Sequence, residues 1–245
     1  MNSAGVCTFA KIFSMGTFFQ KYRFFILFFV LFSIITVSAF YSVLKPKKNL
    51  PIYTPRDVNP ELVDTTVQHV ALEHRIGSFA FTNQNGKTIT DKDYEGKIYV
   101  ADFFFTTCPT ICPKMTNNMA WLQEKIKNNP KVQLLSFSVT PDIDSVPVLK
   151  AYAQKKGVLD HKWNLLTGDK KAIYYLARKS FLAVKTGNPK ELYDMVHTEN
   201  FVLVDAQQRI RGFYDGTNLD GPTEPGVKNV QQLWEDIQFL CEPQE

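Results

Sequence analysis

Cysteine is scarce in this sequence, with four residues in 245, at positions 7, 108, 112 and 241. A small secreted protein stapled by disulfides carries more cysteines in a shorter chain, so that class is excluded. A strong charge imbalance is also missing. The formal net charge is +4, and residues 1–44 contribute Lys11, Lys21 and Arg23 with no acidic residue. From residue 45 onward, 25 basic residues face 24 acidic ones. A nearly neutral domain offers no electrostatic basis for binding nucleic acid. No internal repeat or low-complexity tract occurs. The first residues lack an Arg-rich amphipathic pattern, so they do not read as a mitochondrial transit peptide.

What is present organises the chain into four parts. Residues 1–23 form a leader. Phe24–Leu44 is an uncharged apolar run of 21 residues, long enough as a helix to span a bilayer core of roughly 30 Å. It reads as an uncleaved anchor. The rival reading is a cleaved signal peptide, with Val37-Ser38-Ala39 as the small-residue site, but a signal core is shorter. The basic residues on the two flanks nearly balance, so charge does not set the topology. Residues 45–74 form a tether in which Pro46, Pro51, Pro55 and Pro60 favour extended backbone. Residues 75–245 form the folded domain. A hydrophobic fraction of 44% and an aromatic fraction of 13% suit a packed core.

Within that domain, Phe79 to Thr90 reads as a β-hairpin turning at Asn85-Gly86. Ile98 to Phe105 is a nearly continuous apolar strand, the pattern of a strand buried on both faces. Ile111, Met115, Met119, Leu122 and Ile126 then recur at helical spacing, with Pro113 in the first turn. The two methionines fall on the inward stripe and read as core. A second central strand follows from Val132 to Val139. Asp144 is placed to cap a helix that stops at Gly157, and Asp169 to cap another. A strand covers Trp163–Leu166, a second hairpin covers Phe201–Tyr214, and a last amphipathic helix covers Val227–Cys241. The order predicts an α/β sandwich.

Chemistry concentrates where the first central strand meets its helix. Cys108 and Cys112 are separated by one helical turn, at the positive end of a helix, where thiolate is favoured over thiol. Thiolates exchange with disulfides, and they bind soft metals such as Cu(I) and Zn. Two sulfurs alone leave a metal site incomplete, and imidazole suits copper. His69, His74 and His161 read as solvated surface groups. His197 lies in a loop just before a buried strand, from which it can reach the cysteine turn. Cys7 and Cys241 have no partner nearby in sequence and read as free thiols.

The stretch Phe103-Phe104-Phe105-Thr106-Thr107-Cys108-Pro109-Thr110-Ile111-Cys112-Pro113 resembles the signature of the SCO/SenC proteins, copper chaperones for cytochrome c oxidase assembly. The resemblance extends over residues 77–240, through Asn85-Gly86-Lys87, Ser138-Val139-Thr140-Pro141-Asp142-Ile143-Asp144, Leu165-Leu166-Thr167-Gly168 and His197-Thr198. It implies an α/β, thioredoxin-like fold with an N-terminal transmembrane helix, and copper, Cu(I) or Cu(II), held by Cys108, Cys112 and His197. The implied partner is the copper-bearing subunit of cytochrome c oxidase. The implied setting is a bacterial inner membrane with the domain in the periplasm, or else a mitochondrial inner membrane facing the intermembrane space. The resemblance also allows an enzyme, a thiol–disulfide oxidoreductase in which Cys108 and Cys112 are catalytic. The chain departs from the family where Asp is common, with Thr140 and Val196 in those places.

Overall fold

The computed structural model describes residues 15–44, 49–58, 66–67, 69, 72–183 and 199–242. The chain divides into two compact units between Asn49 and Leu50. The first contains helix α1, Met15–Leu44. Its segment Gln20–Tyr41 is long and apolar enough to cross a membrane. From Phe24 to Tyr41 nearly every large apolar side chain of α1 is exposed, as expected of a helix whose apolar residues are not confined to one stripe.

The second unit is built on one seven-stranded sheet. Its strands are β1 (Ala80–Asn83), β2 (Thr88–Thr90), β3 (Ile98–Phe104), β4 (Val132–Ser138), β5 (Trp163–Thr167), β6 (Asn200–Val204) and β7 (Ile210–Asp215). They lie in the order β2-β1-β5-β4-β3-β6-β7. The three central strands β3, β4 and β5 are parallel. The hairpins β1–β2 and β6–β7 add antiparallel edges on either side. Helices α2 (Ile111–Ile126), α3 (Val146–Lys156), α4 (Lys170–Lys179) and α5 (Val230–Cys241) complete the domain. This is the expected thioredoxin-like arrangement.

Every residue of β3 is buried, because helices cover both faces of the central sheet. On one face α4 brings Ile173, Leu176 and Ala177 against Phe103, Leu135 and Phe137. The ring of Phe137 lies 5.2–5.8 Å from those of Phe79, Phe81, Phe103 and Phe181. On the other face α2, α3 and α5 bring Met115, Met119, Leu122, Leu149, Leu233 and Ile237 against Val100, Phe104 and Leu134. Met115 and Met119 are therefore core, as their spacing predicts. Asp169 caps α4 by accepting from Ala172 N–H at 2.8 Å. Gly157 ends α3 at φ 70, a left-handed position that glycine occupies without a steric cost.

Two local expectations are corrected. The N-cap of α3 is Ser145, not Asp144; the carboxylate of Asp144 is turned inward instead. Residues 50–58, read from their prolines as part of the tether, are packed on the domain as a strap. Leu50 is buried. Tyr53 N–H donates to the Ile210 carbonyl at 2.9 Å, and its ring meets Phe213 edge-on at 5.4 Å. The Arg211 guanidinium donates to the carbonyls of Leu50 (2.6 Å) and Pro51 (3.1 Å) and to Asp205 Oδ2 (3.0 Å). Proline suits such a strap because it has no N–H to leave unpaired. His74 also departs from expectation: it is half-buried, with Nε2 2.8 Å from the Ser180 carbonyl.

Among the described residues, Arg211 is the side chain that joins the strap to the sheet through ionic hydrogen bonds. Replacing it by Met takes the side-chain donor from two carbonyls and one of the donors from Asp205 Oδ2, which keeps Arg209 Nε. Arg211→Met is expected to cost about 2–4 kcal/mol in urea unfolding of residues 50–245. Limited proteolysis is expected to cut within residues 50–58 in the variant but not in the parent. Unchanged cleavage would mean that the strap is held by apolar contacts alone.

Candidate functional site

The parallel strands end on one edge of the sheet, and the loops leaving β3, β4 and β5 converge there. After Phe104 the chain runs through Phe105, Thr106 and Thr107 to Cys108, and α2 starts at Ile111. Cys112 lies in the first turn of that helix. Its N–H donates to Cys108 Sγ at 3.3 Å. Cys108 is 8% exposed and Cys112 only 1%, so one sulfur sits at the surface of the site and the other behind it. Thr116 closes the turn from within, its hydroxyl donating to the Cys112 carbonyl and sharing a hydrogen bond with Tyr152 OH, both at 2.8 Å.

The two thiols are electrostatically unlike. Burial pushes Cys108 up, but hydrogen bonds from the backbone N–H groups of Cys112, Thr110 and Ile111, and from the Cys112 thiol, outweigh it. The net shift is below the usual thiol value. Burial pushes Cys112 up to about 12; a hydrogen bond from the Phe105 backbone opposes this, and the hydrogen bond and charge of Cys108 and the charge of Asp102 add to it. An N-terminal helix turn thus stabilises one thiolate and leaves the other protonated.

Two carboxylates that sequence reading did not assign to the site support it. Asp102 lies on β3, on the same face as Val100 and Phe104, opposite Ser136 in the β3–β4 register. It accepts a hydrogen bond from the Ser136 hydroxyl, which also accepts from Trp163 Nε1 at 2.8 Å. Burial pushes Asp102 up to about 7, and the Ser136 hydrogen bond offsets only part of the shift. The available signal was a lone acid inside an otherwise apolar strand. Asp144, read as a helix cap, is fully buried. Its carboxylate accepts from Thr106 N–H and from the hydroxyls of Thr106, Ser138 and Thr140. Thr140 therefore acts as a donor to Asp144.

His197 and Val196 lie outside the described residues, as does Cys7. The structure thus brings together Cys108 and Cys112, and among the described residues no group of three His, Cys, Asp or Glu side chains is gathered. Cys241 is half-buried at the end of α5 and accepts a hydrogen bond from Asn129 Nδ2 at 3.4 Å. His161 and His69 are exposed.

Asp102 makes a pH signature. Its folded pKa, about 7, is raised above an unfolded value of about 4. Its contribution is fully present below about pH 4 and is lost as pH rises through about 7. The loss levels off above that, at a total on the order of 4 kcal/mol. Asp102→Asn keeps an acceptor for Ser136 and removes the titration. The stability difference between variant and parent is expected to grow in the variant's favour from pH 4 to 8, read by urea unfolding. A flat difference would mean that Asp102 is solvated.

The family model described as SCO1/SenC matches residues 68–235. The SCO1 protein homolog of Bacillus subtilis (strain 168) is 36% identical over 147 residues, 59% of this chain and 76% of that protein. The solved structure of BsSco, described as a member of the Sco family of cytochrome c oxidase assembly proteins with a disulfide switch, is similar with a TM-score of 0.56 and 32% identity. It covers 69% of this chain and 94% of that one. ScoI of Bradyrhizobium japonicum with copper bound gives a TM-score of 0.52 at 25% identity, over 69% of this chain and 100% of that one. The family model takes in more than half of the chain, and the sequence and fold likenesses point the same way: it belongs to the SCO1/SenC family.

Proposed function

We propose that this protein binds copper as cargo and assists metallation of cytochrome c oxidase, with Cys108, Cys112 and His197 as the ligands. The observation that carries the reading is the pair of cysteines joined across one helical turn, Cys112 N–H donating to Cys108 Sγ, with Cys108 already biased to thiolate. Two thiols and an imidazole are a soft donor set suited to copper. The copper-bound ScoI of Bradyrhizobium japonicum supports copper, and BsSco, from a family of cytochrome c oxidase assembly proteins, supports the process. The receiving partner is the copper-bearing subunit of the oxidase. Helix α1 anchors the chain in a membrane, with the domain outside the cytoplasm: in the periplasm of a bacterium or, alternatively, in the intermembrane space of a mitochondrion.

Anaerobic titration of the fully reduced protein tests this. One copper per chain is expected for the parent. His197→Ala or Cys108→Ser is expected to weaken binding by about 100-fold or more with native far-UV circular dichroism. Tight binding by His197→Ala would remove the imidazole from the ligand set. Absence of tight binding by the reduced parent would sink the copper reading.

A second reading is favoured by the unlike environments of the two thiols. A thiol–disulfide oxidoreductase needs an attacking thiolate and a resolving thiol. Cys108 would attack a partner disulfide and release one partner thiolate. Cys112 would then displace the second partner sulfur, its proton leaving with that sulfur. The chain ends as the Cys108–Cys112 disulfide and the partner as a dithiol. Iodoacetamide at pH 7 is expected to alkylate Cys108 at least about tenfold faster than Cys112, by peptide mass spectrometry. Equal rates would remove the basis for this assignment.

A further inference from the structure

The fully buried carboxylate of Asp144 joins three segments that meet at the cysteine edge of the sheet. Its Oδ2 accepts from Thr106 N–H at 3.2 Å, from the Ser138 hydroxyl at 2.6 Å and from the Thr140 hydroxyl at 3.0 Å, while Oδ1 accepts from the Thr106 hydroxyl. Thr106 is two residues before Cys108. Ser138 ends β4 and also accepts from Thr140 N–H at 3.2 Å. The loop carrying Asp144 is itself closed on Thr140, whose carbonyl accepts from the N–H groups of Ile143 (2.9 Å) and Asp144 (2.8 Å). Among the described residues no Lys, Arg or His forms an ion pair with Asp144. Its partners are one amide and three hydroxyls, two of these four donors from Thr106 alone.

A helix cap needs none of this, and a buried carboxylate that served only packing would be replaced at lower cost by an apolar side chain. The network instead fixes the residue from which the cysteine turn departs. Backbone hydrogen bonds hold that turn less firmly: Cys108 N–H reaches the Phe105 carbonyl only at 3.4 Å. We infer that Asp144 is a positioning residue that, through Thr106, holds the Cys108 turn so that the two sulfurs stay adjacent. This deepens the proposed function, since a fixed pair of sulfurs is what either copper binding or disulfide exchange requires. Thr140 belongs to the same device, because its hydroxyl supplies a donor where a carboxylate would supply none.

The test compares the full chain in detergent micelles with Asp144→Ala, Asp144→Asn and Thr106→Val. The readout is the equilibrium of the Cys108–Cys112 dithiol with glutathione disulfide, which reports the effective concentration of one sulfur at the other. Asp144→Ala is expected to disfavour the intramolecular disulfide by about tenfold, and Thr106→Val to act in the same direction. Asp144→Asn can reproduce the hydrogen bonds, its amide group donating to the Thr106 hydroxyl, and is expected to stay within about threefold of the parent. Parent-like equilibria in both Asp144→Ala and Thr106→Val would overturn the inference. So would an Asp144→Asn variant as impaired as Asp144→Ala, because charge rather than geometry would then be responsible. If Asp144→Ala does not fold, Thr106→Val decides. Copper titration of the same proteins stands apart: a parent that binds no copper defeats the copper reading, while the glutathione equilibrium still decides the role of Asp144.

Discussion

The parallel pairing of β3 with β4 is the constraint on which the site depends. Its register runs from Ile98 opposite Val132 to Phe104 opposite Ser138. Both strands therefore end at the same level, and the loops that leave them emerge side by side. One loop carries the cysteines and the other carries Asp144. A slip of one residue would turn Asp102 away from Ser136 and separate Thr106 from Asp144. Aromatic packing around Phe137 on one face and the α2 stripe on the other make that slip costly, because each side chain of β3 and β4 has its own place in a filled core.

The polarity of the site follows from where the core ends. Cys112 is enclosed by apolar side chains and keeps its proton, while Cys108 lies at the rim among backbone N–H groups and loses its proton more readily. Four residues of sequence thus separate two different chemical environments. Deeper burial sets Cys112 apart, and backbone N–H groups rather than a nearby cation stabilise the Cys108 thiolate.

Much of this was legible in the sequence. The run Ile98–Phe105 announced a central strand by its unbroken apolarity, and Met115, Met119 and Leu122 announced the inward face of α2. Gly157 and Asp169 were read correctly because a helix stop and an N-cap depend on chemistry a few residues away. Asp144 carries the same local signature as a cap. Its real partner Thr106 is remote in sequence and is brought near only by strand pairing, so no local rule could assign it. Asp102 left a trace as an acid in an apolar strand, but the hydroxyl that holds it belongs to β4. The strap at 50–58 was hidden for the same reason: its prolines specify extended backbone, and only the distant Arg211 makes that backbone part of the domain. His197 was singled out by its place before β6, and it lies outside the described residues.

The strap also determines how the domain bears mechanical load. A pull arriving along the chain from its N-terminal side meets the folded unit first at Leu50, where the Arg211 guanidinium grips two successive carbonyls. The force then enters the sheet through β7, an edge strand, and is divided between the Arg211–Asp205 contact and the Tyr53–Ile210 bridge. Two strand boundaries, β7 to β6 and β6 to β3, lie between that point and the strand that leads to the cysteines. Tension on the linker would therefore peel the strap before it disturbed the sulfurs.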